Sequence, residues 1–304
     1  MSNLSPSADG AADQGAVRTH GALLVAGAAI FWSTGGLISR MVAVDAWTMV
    51  FWRSVACALF LAAYLTLRER GRIWPLFREA GWAGVLVGLC FATASTSFVL
   101  ALGLTSVANI LLVGSLGPFL AGLLAFLLVG ERVRPATWIA IAVAAGGVAV
   151  MMARLPTGDD LVGTLLALLI AFAFAGATVI IRVRRVVRMT PAACLAGLFA
   201  ALLAWPLAVP GAPSSGDLGL LWLFGAGQLG LGMICYTAGA RRIPAAQGSL
   251  LLMLEVVLAP FWVWLAFGED PGFWVLGGGA IIVAALVGHT LADQVAAARA
   301  PVAR

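Results

Sequence analysis

Residues 81–101 read GWAGVLVGLCFATASTSFVLA, a stretch without one charged side chain. Comparable apolar runs recur along the chain at roughly 21–39, 46–67, 81–101, 106–129, 135–153, 161–181, 190–209, 218–238, 244–267 and 272–291. About 20 apolar residues in helical form cross a hydrocarbon layer about 30 Å thick. Barrel strands would instead show ~10-residue alternating segments. The runs therefore predict an all-α integral membrane protein with ten transmembrane helices. Composition agrees: 62% of residues are hydrophobic and 10% charged, where a soluble domain carries about 25% charged.

The gaps between runs are short, and they hold the charge. All 18 basic residues are arginine. With a cytoplasmic N-terminus, the cytoplasmic segments hold Arg18, Arg68, Arg70, Arg72, Arg78, Arg132, Arg134, Arg182, Arg184, Arg185, Arg188, Arg241, Arg242, Arg299 and Arg304, whereas the opposite gaps hold Arg40 and Arg154. That bias places both termini in the cytoplasm and the chain in the inner membrane. The net charge of +5 is spread over these gaps and forms no stripe for nucleic acid. Residues 1–20 lack the apolar core of a cleavable signal and are expected to be a disordered tail, with a second tail at 292–304. The four cysteines sit inside apolar runs without a CxxC pair and read as packing residues.

One segment occurs twice. Thr105 to Glu131 reads TSVANILLVGSLGPFLAGLLAFLLVGE, and Ile243 to Glu269 reads IPAAQGSLLLMLEVVLAPFWVWLAFGE. Each begins with a small-residue turn and an amide, Asn109 or Gln247, and ends on Gly-Glu. The first run also lies over the sixth, GALLVAGAAIFWSTGGLISR over GTLLALLIAFAFAGATVIIR. The chain thus divides into halves of five runs, 21–153 and 161–291. Five is odd, so the halves enter the membrane from opposite sides, which predicts two inverted five-helix repeats.

This pattern resembles the EamA domain of the drug/metabolite transporter superfamily, in duplicate over about residues 21–291. The residues that carry the likeness are Arg53 in FWRS, the fourth-run segment quoted above with its ninth-run echo, and WIAIAVAAGGVAV in the fifth run. The chain departs from the family where Glu255 is followed by Val256 rather than proline; its proline comes later, at Pro260. The resemblance implies a secondary transporter of a small organic metabolite, an amino acid or similar solute, with export as the direction, working by alternating access.

Arg53 and Glu255 fall near mid-bilayer if their runs are helical, some 12 to 17 Å from the helix starts at ~1.5 Å per residue. A charge at that depth faces a cavity or a partner. Each either holds helices in register or works on a solute, with Glu255 binding a proton or an amine and Arg53 a carboxylate. Asn109 and Gln247 either cap their helices or stand at opposite mouths of a pathway. Trp32, Thr34, Ser97, Phe98, Gln228 and Tyr236 are further polar or aromatic groups at depth, although intramembrane Ser and Thr often bond a carbonyl of their own helix. Pro118 and Pro260 each remove a ladder hydrogen bond and permit bending. Glu131 and Glu269 read as surface caps or ion-pair partners of arginine.

No catalytic constellation is present: there is no metal-ligand spacing, phosphate loop or nucleophile elbow. The expectation is a carrier, not an enzyme, without cofactor. Its partners would be a small-molecule substrate, the lipid bilayer and a proton as candidate coupling ion, in a monomer or homodimer. A channel-like facilitator or a non-transporting scaffold is the alternative.

Overall fold

Helix is the only regular structure among the described residues of the computed structural model, which are 8–130, 135–152, 159–184, 189–208, 213–240, 242 and 245–299. In chain order the helices are α1 (Ala8–Ser33), α2 (Gly35–Met41), α3 (Ala46–Arg68), α4 (Trp74–Leu102), α5 (Val107–Gly114), α6 (Gly117–Val129) and α7 (Pro135–Met152). The second half follows with α8 (Asp159–Val183), α9 (Met189–Ala204), α10 (Ser215–Trp222), a π-helical segment (Leu223–Leu231), α11 (Gly232–Ala240), α12 (Ala245–Phe267) and α13 (Phe273–Arg299).

Among the described residues six stretches are long and apolar enough to cross a membrane: 19–41, 46–68, 74–102, 107–128, 160–181 and 215–239. Four shorter apolar helices, 138–150, 190–204, 254–267 and 273–285, lie where four more of the ten runs fall. The chain is therefore an all-helical, multi-pass membrane protein. Its outward residues suit lipid: Leu67, Leu128, Ile139, Leu265 and Phe273 are each more than 60% exposed.

Local chemistry explains where helices start and stop. The Asp45 carboxylate caps α3, accepting from the Trp47 and Thr48 backbone N–H groups at 3.0 Å each. Burial pushes its carboxyl up, but hydrogen bonds from Thr48 and Trp47 outweigh that and hold it below its ordinary value of 3.8. Ser106 caps α5 through the Asn109 N–H, and Ser214 caps α10 through the Asp217 N–H. Gly130 closes α6 in the left-handed region at φ 72°.

Several expected runs are not single rods. The first is interrupted for a single residue at Thr34, which keeps right-handed dihedrals (φ −75°, ψ −6°), between α1 and α2. The fourth is broken at Ser115 and Leu116, so Pro118 stands in the first turn of α6, where a missing N–H leaves no ladder bond unmade. Helix α12 continues through Pro260. The eighth run carries the nine-residue π segment. Two helices also reach past the expected bounds, α1 starting at Ala8 and α13 ending at Arg299.

Packing between the halves follows an exchange rule. Helix α4 lies along α8, and its counterpart in the other half, α11, lies along α1. Similarly α4 with α9 matches the π segment with α3, and α12 with α1 matches α5 and α6 with α8. The pairs α3 with α9, α5 with α12 and α7 with α13 map onto themselves. This is the contact pattern of two similar halves related by an approximate two-fold axis. Small residues allow the approach: a Cβ on Gly147 would stand 2.8 Å from the Gly278 carbonyl, and one on Gly197 3.0 Å from that of Ser54.

Candidate functional site

Arg53 sits on α3 among buried apolar residues and is only 3% exposed. Its guanidinium donates to the Ser95 hydroxyl at 2.9 Å, to the Ser95 carbonyl at 3.4 Å and to Gln228 Oε1 at 3.3 Å. The rings of Phe224 and Phe98 stand 4.3 and 5.8 Å from its central carbon. Among the described residues it has no carboxylate partner, and its Nε has no acceptor. A full charge at this depth is thus met only by neutral oxygens and ring faces.

Gln228 is the link from Arg53 to the first helix break. It is 5% exposed in the π segment. Its Nε2 donates at 3.0 Å to the carbonyl of Trp32, two residues before the break at Thr34. Two glycines let the second half close on this spot. A Cβ on Gly225 would strike the Arg53 carbonyl, and one on Gly232 would strike the Trp32 indole. The Trp32 ring packs on Tyr236 at 5.5 Å, and its Nε1 is buried without an acceptor. Next to it the Trp262 indole N–H donates to the Ser33 hydroxyl at 3.1 Å. Side chains of α1, α3, α4, the π segment, α11 and α12 therefore meet around Arg53 and the break at Thr34.

Of the residues singled out from the sequence, Arg53, Trp32, Phe98, Gln228 and Tyr236 converge here. Ser97 is buried on α4, two residues from Ser95. The Thr34 hydroxyl donates back to the Phe31 carbonyl at 2.7 Å. Glu255 is partly exposed on α12, two helical turns before Trp262, about 10 Å along the axis. It forms no ion pair with Arg53, and no hydrogen bond is made by its carboxylate among the described residues. Asn109 belongs elsewhere: 1% exposed, it donates to Thr105 at 3.0 Å and to Thr164 at 2.7 Å, tying α5 to α8. The side chains of Gln247 and Pro118, and all of Glu131, lie outside the described residues.

The Asn109 tie belongs to a cluster at one end of the bundle. There Arg40 pairs with Glu269 at 3.0 Å and donates to the Leu102 carbonyl at 2.7 Å. The Ala43 N–H donates to the Asp217 carboxylate at 3.0 Å. Glu269 also lines a shallow pocket of about 10 Å³ with Ser106, Val107, Ala108, Pro260, Val263 and Pro271. Arg40 and Ala43 belong to one half, Glu269 and Asp217 to the other.

Sequence reasoning passed over Phe224 and the π segment that carries Gln228. The signal was the glycine density of LFGAGQLGL, three glycines in nine residues. Glycine removes the side chains that would keep a widened turn from its neighbour. Glu269, expected as a surface cap or an ion-pair partner of arginine, meets Arg40 of the other half.

Known proteins give the same outline. The model of the EamA-like transporter family matches twice, over residues 19–153 and 161–291. An uncharacterized transporter of Pseudomonas aeruginosa is 29% identical over 249 residues, covering 77% of this chain and 79% of its own. A protein of known crystal structure shares the fold at a TM-score of 0.63 with 22% identity, over 93% of this chain and 99% of that one.

Proposed function

Because the chain belongs to the EamA-like transporter family, we propose that it is a secondary transporter which moves a small organic metabolite across the cytoplasmic membrane by alternating access. In this reading the four shorter apolar helices also cross the bilayer, giving ten spans in two inverted five-helix repeats, 21–153 and 161–291. The exchange of helix partners between the halves supports the repeat. The distribution of arginine supports cytoplasmic termini.

One observation carries the assignment of the site. Arg53, buried in the first half, is bonded to Gln228 of the second, at a broken helix. Charges at such depth mark solute or ion pathways, and interrupted helices at a repeat interface are where carriers hold their solutes. Rocking of one half against the other would open this centre to alternate sides. The arginine count supports an external position for the Arg40–Glu269 end, where the ion pair joins the two halves.

The solute is an amino acid or a similar small metabolite, and export is the direction of flux. Glu255, without an ionic partner among the described residues, is the group for a proton or a substrate amine. Proteoliposomes loaded with unlabelled solute test the reading. A carrier gives saturable uptake and counterflow of labelled solute. Linear, non-saturating flux would identify a channel-like facilitator instead.

A further inference from the structure

The buried guanidinium is poorly satisfied for its charge. Arginine presents five N–H donors in a rigid fork, and charge-assisted bonds run at about 2.7–2.9 Å. Only the Ser95 hydroxyl meets Arg53 in that range; the Ser95 carbonyl and Gln228 Oε1 stand at 3.4 and 3.3 Å, and Nε has no acceptor. An arginine kept for helix register would be expected to meet a carboxylate or a full set of carbonyls, because a lone buried charge is strongly disfavoured. Glu255 does not supply the counter-charge. Neither does any other described carboxylate.

The acceptor that does reach Arg53 across the half-to-half boundary is an amide. A glutamine amide has the same planar three-atom head as a carboxylate, with one oxygen able to accept from the fork. The Gln228 head is also held at its nitrogen, by the Trp32 carbonyl at 3.0 Å, against the backbone of Gly35. Displacing the amide from Arg53 therefore loosens a bond at the end of α1, just before α2, whose far end carries Arg40 and its tie to Glu269.

We propose that the solute carries a carboxylate, and that the Gln228 amide holds the carboxylate's place on Arg53 until the solute arrives. This rests on reading the buried centre as the transport site. On binding, the carboxylate takes the Nε and Nη donors of Arg53 in a two-pronged pair, and Gln228 swings off. The bond from Gln228 to Trp32 then changes with occupancy, so the break at Thr34 senses whether the site is filled. A neutral or cationic solute would leave the guanidinium without a counter-charge and gain nothing from the exchange.

The full-length protein in lipid nanodiscs is heated with acetate, butyrate, benzoate or N-acetylglycine, and in parallel with the matching amides, at ionic strength held constant with chloride. At least one acid is expected to raise Tm by several degrees at millimolar concentration, with its amide and chloride inert. Q228E supplies an internal carboxylate but loses the donor to the Trp32 carbonyl; it should abolish the response to acids. Q228A should lower the ligand-free Tm and bind the active acid several-fold more tightly, because the competing amide is gone. Amides that act as well as acids, a series in which no acid acts, or a Q228E protein that responds like the parent would each overturn the proposal. Counterflow of the active acid separates the two readings. Binding without counterflow, with Q228E blocking the binding, leaves the carboxylate site standing and sinks the carrier. Saturable counterflow of a neutral solute without any acid response does the reverse.

Discussion

Arg40 and Glu269 form an ion pair of 3.0 Å that fastens the end of α2 to the turn after α12. The same guanidinium reaches the last carbonyl of α4, at Leu102. The two side chains are 30% and 26% exposed, so the pair adds little to stability, about 0.2–1 kcal/mol. Its place is the contact between the halves, where α2 of the first meets the turn after α12 of the second.

Weakening that fastening should loosen that contact. In a background without the four native cysteines, a cysteine at Ser106, in the pocket that Glu269 also lines, is expected to react several-fold faster with a membrane-impermeant thiol reagent when Glu269→Gln is added. The exchange Arg40→Glu with Glu269→Arg should bring the rate back towards the parent. Equal rates in all three proteins would show that the pair does not gate access.

Arg53→Met separates stability from activity. Replacing a poorly paired buried charge by an apolar side chain of similar length is often neutral or stabilising by about 1–4 kcal/mol. The variant is expected to unfold at the same temperature as the parent or higher, while solute counterflow is lost. A variant that folds well and still transports would remove Arg53 from the site.

Gly225 and Gly232 are positions of contact between halves. Gly225→Ala and Gly232→Ala should each lower stability by about 1–3 kcal/mol, the range of overpacking in a close-packed interior. Gly219, with nothing within 4 Å of an added Cβ, is the control: Gly219→Ala should be neutral or stabilising by roughly 0.5–1 kcal/mol. Thermal unfolding of the three variants in one detergent makes the comparison.

How much of this was legible in the chain differs by feature. Helix content and the boundaries of the long runs follow from apolar length alone, which is why α3 and α8 stand within a few residues of their expected places. The breaks were harder to see. Thr34 and Ser115 interrupt runs that are apolar on both sides, and hydropathy is blind to a change of backbone path that leaves composition untouched. The proline at 118 pointed near one break, yet the break precedes it, since proline suits a first turn better than an interior. Arg53 announced itself because a charge in an apolar run stands out. Its pairing with Gln228 rather than Glu255 depends on which helices face each other, and no local pattern reports that. Glu255, the other charge in an apolar run, makes no ion pair with the guanidinium.

Glu255→Gln tests the acidic group independently. If its carboxylate couples flux to a proton gradient, the variant should carry out exchange of solute across liposomes while losing acceleration by an imposed pH difference. Unchanged acceleration would assign the coupling elsewhere.

The cap of α3 has a pH signature of its own. Hydrogen bonds hold the folded Asp45 carboxyl below 3.8, so its contribution is complete above that value and fades as pH falls through the folded-state value. Asp45→Asn keeps an acceptor at the cap and should flatten the loss of stability between about pH 5 and pH 3, whereas Asp45→Ala should cost about 1 kcal/mol at neutral pH. Unfolding midpoints across that range decide it.

A guanidinium held by an amide leaves the unloaded protein with a buried charge that is bonded but not neutralised. Were the centre around Arg53 to be exposed to the two sides in turn, the empty leg would carry that net charge, and the leg loaded with a carboxylate would not. The membrane potential would then act on one leg of such a cycle and not on the other.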